Sequence, residues 1–333
     1  MGRTDKLVKH LKAFHRKRIM VGIAGVLLIG VIAALILGTR PPVFPMTPGA
    51  DAIVFRSRRN LSFDLYAIYP DGAHETRLTY LRRPTDEWWF PDLLIPYEDL
   101  LTNSHPRPVP GGQGVTFTSN FEGAYWLYQM DVDGSDFHRV DSPLSANTIP
   151  IYSPDAQQIA YLPRSDELIV SNADGSGKRC LTCGMGGSLL LPVWAPDGHA
   201  LVFSFFNDKE ENLYRVNVDG TNLIRLTNSN APNAFNADPA WSPNGQQIAF
   251  SSNQAGGSPE IYVMNADGSN QVQLTSISGK EPSWSPDGQQ IAFTANPEEK
   301  GAEIYVMNAD GSNLRGLTVN SPGNSSPVWV RMR

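Results

Sequence analysis

One twelve-residue pattern returns four times in close succession, and nothing else in the chain restricts its fold as strongly. It reads PSWSPDGQQIAF at 282–293, PAWSPNGQQIAF at 239–250, PVWAPDGHALVF at 192–203 and PIYSPDAQQIAY at 150–161, with degenerate copies PRPVPGGQGVTF at 106–117 and MTPGADAIVF at 46–55. A second pattern alternates with it. This one reads IYVMNADGSNLRGLT at 304–318, IYVMNADGSNQVQLT at 261–275, LYRVNVDGTNLIRLT at 213–227 and LIVSNADGSGKRCLT at 168–182, with looser forms at 127–140 and 65–79. Six copies of each imply six copies of one supersecondary unit.

Each pattern carries its own turn. In Ser-Pro-Asp-Gly the proline presets φ for the second position of a type I turn, and Ser and Gly suit its ends. Asn-Ala-Asp-Gly-Ser suits a short hairpin whose glycine takes φ > 0, so the flanking runs pair as antiparallel strands. One unit is therefore four strands. The equivalent apolar residues Val115, Ile159, Leu201, Ile248 and Ile291 are spaced 44, 42, 47 and 43 residues apart, a period that suits one propeller blade. A blade alone cannot bury both of its faces, so the stack must close on itself.

The run PxWSPDGxxIAF…IYVMNADGSN…LT resembles the TolB-type propeller repeat over about residues 46–333. That resemblance implies an all-β, six-bladed propeller of four-stranded antiparallel blades, in agreement with the count of repeats. The segment PVWV at 327–330 copies the PSWS strand and is expected to supply the innermost strand of the first blade, so that ring closure clasps the two ends of the propeller. Tyr152, Trp194, Trp241, Trp284 and Trp329 fall on the innermost strands, where equal spacing points to packing between blades rather than to an exposed stacking platform.

Residues 19–38, IMVGIAGVLLIGVIAALILG, hold 20 consecutive uncharged residues, twelve of them Ile, Leu or Val. As a helix they would measure about 30 Å, the thickness of a hydrocarbon core, with an insertion gain of about 4–7 kcal/mol. A cleaved signal peptide has a shorter apolar run ending at a small-x-small site, which LILGTRPP does not provide. The first 18 residues carry seven Lys and Arg against Asp5 alone, leaving 20 basic against 32 acidic groups in the remainder. The positive-inside rule then predicts a basic cytoplasmic tail at 1–18, a single transmembrane helix at 19–38 that anchors the chain in the cell membrane, a Pro-rich linker at 39–47, and a periplasmic or extracellular propeller at 48–333. An acidic body argues against a nucleic-acid partner, because phosphate binding needs clustered Lys and Arg.

In an up-and-down blade the first–second and third–fourth turns share one face; here these are the stereotyped SPDG and NADGS turns. The opposite face carries connections of variable length, which favours binding residues there. On it fall Phe121, Phe206, Asn207 and Phe235. The longest connection is an insertion at 81–105, where Trp88, Trp89, Phe90 and Tyr97 sit among Asp86, Glu87, Asp92, Glu98 and Asp99. Aromatics in a polar rim make a binding anchor; the same rings could instead fold back as a lid with its own small core.

Catalytic signatures are missing from the sequence. There is no G-x-S-x-G elbow, no H-E-x-x-H and no phosphate-cradling glycine loop beyond the apolar segment, and the four histidines there, His74, His105, His138 and His199, fall in different blades or loops. No metal or other cofactor is called for. The D-x-D-G-S and N-x-D-G-S runs lack the twelfth-position acid of a calcium loop and read as hairpin turns. Cys180 and Cys183 form a lone C-x-x-C whose expected state in an exported protein is a local disulfide, provided the chain turns near Gly184. Three functions compete: a non-catalytic envelope module that presents a propeller face to a protein or cell-wall partner, a propeller lyase or hydrolase acting on polysaccharide or peptide, and a sensor or accessory subunit of a membrane complex.

Overall fold

A computed structural model of the chain describes residues 44–332 except 46, 59–62, 80–101, 111–113, 208–209, 229–233, 298–300 and 320–322. The tail at 1–18, the apolar segment at 19–38 and the linker up to residue 43 lie outside the described residues, among which no helix is long and apolar enough to cross a membrane.

The described strands fall into six antiparallel sheets of four. Blade one contains β1 (Asp51–Ser57), β2 (Asp64–Ile68) and β3 (Thr76–Arg77). Blade two is β4 (Asn103–Pro108), β5 (Gly114–Ser119), β6 (Trp126–Asp131) and β7 (His138–Arg139). Blade three is β8 (Ile151–Tyr152), β9 (Gln158–Arg164), β10 (Glu167–Asn172) and β11 (Arg179–Cys180). Blade four is β12 (Ser188–Trp194), β13 (Ala200–Asn207), β14 (Glu210–Asn217) and β15 (Ile224–Arg225). Blade five is β16 (Asn236–Trp241), β17 (Gln247–Ser252), β18 (Glu260–Asn265) and β19 (Val272–Gln273). Blade six is β20 (Gly279–Trp284), β21 (Gln290–Ala295), β22 (Glu303–Asn308) and β23 (Arg315–Gly316). The last strand, β24 (Ser325–Arg331), returns to blade one and pairs with β1, setting Trp329 opposite Ile53. Trp284 opposite Ile291 and Trp241 opposite Ile248 repeat that register, so the clasp expected from PVWV is the one formed.

Both turns are held by their own side chains. In the first, Ser285 Oγ donates to Asp287 Oδ1 at 2.6 Å and accepts the Gln290 N–H at 2.9 Å. In the second, the Ser269 N–H and Oγ both donate to Asp267 Oδ1, at 2.9 and 2.6 Å. These hydroxyls hold Asp174, Asp219, Asp267 and Asp310 below the usual carboxylate range. The acids of the D-G-S runs are thus engaged by their own hairpins. The second glycine is also needed for blade packing: at Gly268 (φ +89°) an added Cβ would stand 2.7 Å from the Leu226 carbonyl oxygen of the preceding blade.

The core is a series of layers between blades, as period-two alternation requires. On β1, Ile53 and Phe55 pack towards blade six with Ile304 and Val306, while Ala52 and Val54 pack towards blade two with Val115 and Phe117. The threonine closing each L-T pair is buried and accepts a backbone N–H from its own third strand, as Thr318 does from Ile304 at 2.9 Å and Thr227 from Leu213 at 2.9 Å.

Two boundaries move. Phe44, assigned to the linker, is fully buried in the layer between blades one and two and lies against Tyr69 at 4.9 Å, because an aromatic ring beside the clasp gains more from burial than from a solvated spacer. Asn103, Ser104 and His105, counted with the insertion, belong to β4; their polar sequence hides a strand whose hydrogen bonds and burial come from blade context.

Candidate functional site

Every blade sends its innermost strand from the variable face towards the stereotyped turns, and five of the six strands are interrupted at the same point. The residue before the first repeat proline, His105, Leu191, Asp238, Glu281 or Ser326, has φ between 52° and 54°, and the strand register shifts there. A β-bulge of this kind re-aims the extra side chain. All five line a central channel enclosing about 770 Å³, within the range of small-molecule sites.

Trp194, Trp241, Trp284 and Trp329 line the middle of the channel. Trp194, Trp284 and Trp329 are no more than 8% exposed, so they serve as inter-blade core and as channel wall together. The Trp194 and Trp284 indole N–H groups donate to the carbonyls of Ile151 and Ala240 in the preceding blades, at 2.9 and 3.2 Å. Pro154, Pro196, Pro243 and Pro286 from the stereotyped turns line the far end.

At the mouth, charge divides into two walls. On one side Asp238 Oδ2 accepts Ser251 Oγ at 2.8 Å and the Glu281 N–H at 3.3 Å. The Glu281 carboxylate in turn accepts the Ser326 N–H at 2.7 Å, Ser326 Oγ at 3.0 Å and Thr294 Oγ1 at 2.7 Å. The carboxylate of one bulge therefore holds the amide of the next, tying blades five, six and one. Burial pushes the Asp238 carboxyl above the usual range against the pull of Ser251, and the Glu281 charge adds to the rise. Glu211 beside them is raised by burial and by Asp238, with Lys280 opposing.

The opposite wall is basic. Arg107 of β4 lines the channel and, among the described residues, no ion pair or side-chain hydrogen bond engages its guanidinium. Burial alone lowers it to about 10. Beside it, His105 is held below its ordinary value by burial, then by the charges of Arg107 and Arg56, with Glu281 opposing. Arg56 lies over the Phe63 ring at 4.6 Å and donates to Ser325 Oγ at 3.1 Å.

The aromatic candidates separate. Phe206 is 45% exposed and its strand pairs it with Glu211, whose backbone also bridges to Phe235. Phe235 lies under Lys280 Nζ at 5.8 Å, so Phe206 and Phe235 flank one stretch of the rim. Asn207 Oδ1 accepts the Glu210 N–H at 3.3 Å and so links the facing ends of β13 and β14. Phe121 stands apart, packed edge-on to Phe137 against the layer between blades one and two. Trp88, Trp89, Phe90 and Tyr97 lie outside the described residues. Cys180 and Cys183 are joined by a disulfide with Cα atoms 5.7 Å apart, across a turn in which the Met185 N–H donates to Thr182 O and Gly184 has φ +88°.

His138 and His199 do not meet. The first is on the outermost strand with Nδ1 against Asp136 O, and the second sits in a stereotyped turn, its N–H on Asp197. The bulge residues and Arg107 escaped the sequence patterns because the bulge position is His, Leu, Asp, Glu or Ser by blade. One signal was available: in PRPVPGG, Arg107 stands where other copies have Ile151, Val193, Ala240, Ser283 or Val328.

Comparison with known proteins agrees with this architecture. A Protein TolB homolog of Chlorobium luteolum is 29% identical over 159 residues, covering 46% of this chain and 34% of its own length. The chain spans about a third of the length of the curated relatives it matches, 34% and 31% for two from Chlorobium. The crystal structure of TolB from Acinetobacter baumannii superimposes with a TM-score of 0.65 at 20% identity, covering 92% of this chain and 72% of that one. A chain of a nidogen/laminin complex gives 0.58 at 12% identity, with 84% and 98% covered. The TolB beta propeller domain model matches residues 98–236, 150–281 and 229–332, and the chain belongs to that family.

Proposed function

We propose that this protein is a non-catalytic binding module of the cell envelope, holding its propeller on the exported side of the membrane through residues 19–38 and presenting the variable face to a protein or cell-wall partner. The observation that carries this reading is the channel mouth. Exposed Phe206 and Leu190, at 45% and 48%, stand on the same face as the charged walls, while the opposite face carries the stereotyped turns. Apolar anchors inside a polar rim are how partner surfaces are built, and a rigid ring positions them at little conformational cost. Trp88, Trp89, Phe90 and Tyr97 join this face on sequence grounds.

The test is site-specific photocrosslinking in intact cells. A photoreactive residue at position 206 is expected to capture a partner, and one at Val272, which is 52% exposed on the outer strand β19, is expected to capture none. Equal capture at both positions would remove the face from the proposal. Protease added outside spheroplasts should degrade the propeller; its protection there would remove the exported placement.

A further inference from the structure

We propose that the central channel is a binding site for a carboxylate, built around the Arg107 guanidinium. The channel holds charged groups in unequal states. Asp238 and Glu281 are engaged by Ser251, Thr294, Ser326 and the bulge amides, so the acidic wall is already satisfied from within the protein. Arg107 is not: it lines the lumen, half-buried, with no ion pair or side-chain hydrogen bond among the described residues. A desolvated charge without a partner is costly to keep, and a planar guanidinium is matched by a carboxylate in paired hydrogen bonds.

The surroundings select among anions. His105, beside Arg107, has its proton affinity reduced by burial and by the charges of Arg107 and Arg56, and of those two guanidiniums Arg56 is already engaged by Phe63 and Ser325, which leaves Arg107 as the cation open to a ligand. The acidic side chains of Asp238 and Glu281 line the same lumen, which disfavours a second negative charge on the ligand. A dianion such as phosphate is therefore a poor fit. Prolines, tryptophans and aliphatic side chains form most of the remaining wall, and the other guanidinium lining it, Arg331, is paired with Asp51 at 3.1 Å; such a wall suits a carboxylate carried on an apolar body, either a small organic acid or the free end of a peptide chain. This inference rests on the channel alone and stands whether or not the rim captures a partner.

The tryptophans of the wall supply the readout. The full chain in detergent is titrated with phenylacetate, phenylacetamide, inorganic phosphate, and a short aromatic peptide with a free or an amidated C-terminus, following tryptophan fluorescence. Saturable binding is expected for phenylacetate or the free-acid peptide, weakened about tenfold or more for phosphate and for the two amides, and about tenfold or more by Arg107→Met, with Arg107→Lys between. Response to the peptide acid identifies a chain end as the source, and response to phenylacetate alone identifies a free acid. A second measurement guards against a folding defect: without ligand, Arg107→Met should melt at or above the wild-type temperature, because it removes an uncompensated charge and keeps the stem. No saturable carboxylate signal, equal binding of phosphate, unchanged affinity in Arg107→Met, or a lowered melting temperature in that variant would each overturn the proposal.

Discussion

Removing β24 is expected to abolish the folded ring rather than loosen it. Deleting residues 325–333 exposes the partners of Val328, Trp329, Val330 and Met332, which are 9%, 4%, 1% and 0% exposed. At about 1.5–3 kcal/mol for each buried side chain the lost burial comes to about 6–12 kcal/mol. The backbone bonds from Gly49 N–H to Met332 O at 2.8 Å and from Met332 N–H to Ala50 O at 2.9 Å go with it. Whole domains are stable by about 5–15 kcal/mol, so the deletion is comparable to everything the fold has. The assay is thermal melting of the full chain and the truncated chain in the same detergent, followed by near-ultraviolet circular dichroism. The truncated chain should show no cooperative transition, and a synthetic peptide of residues 325–332 added in excess should restore one by mass action. Trp329→Ala, in which the strand remains, should cost about 3–5 kcal/mol. A truncated chain that melts cooperatively within about 3 °C of the full chain would refute closure through β24.

Three further outcomes follow from the geometry. Gly268→Ala should destabilise by about 1–3 kcal/mol and clearly more than Gly256→Ala, because both have positive φ but only the first meets a neighbouring carbonyl; equal losses in urea melts would dismiss the close-approach argument. Asp238 has its carboxyl raised by burial, so the folded state binds the proton more tightly than the unfolded chain, and its contribution to stability is present at low pH and lost as pH rises above the ordinary carboxylate range. Asp238→Asn should therefore stabilise at pH 7.5 by on the order of 1 kcal/mol, or about 2–4 °C, with the gain shrinking towards pH 4; a gain that grows on acidification would contradict this. Replacing Cys180 and Cys183 by Ser should cost about 2 kcal/mol, as expected for so short a closed loop, and a shift in urea midpoint equivalent to more than about twice that would show that the bridge supports more than its own turn.

The blades and the ring could be read from sequence because their determinants are local. Ser285, Asp287 and Gly288 form their turn from within a few residues, and the alternation of Ile291 and Phe293 with Ala292 survives any context. The clasp was legible because Trp329 repeats a neighbourhood already seen in Trp284. The bulges were not, because a bulge is fixed by pairing between strands, and its residue varies freely among blades. Phe44 was read as spacer because its burial depends on Tyr69 and the clasp, both distant in sequence. Arg107 sat in plain view in a degenerate repeat, where a departure from the pattern said more than the pattern did.

The carboxylate-to-amide links that run from Asp238 to Glu281 and on to Ser326 have a mechanical consequence. Blades five, six and one meet the lumen as a continuous arch braced along its inner edge, and displacing any one of the three bulges strains the next. Arg107 and His105 stand on β4, next to the blade-one end of that arch and across the lumen from its blade-five end at Asp238. A guest drawn to the guanidinium meets a surface that does not yield, so the depth to which it seats is set by the brace while its grip is set by Arg107.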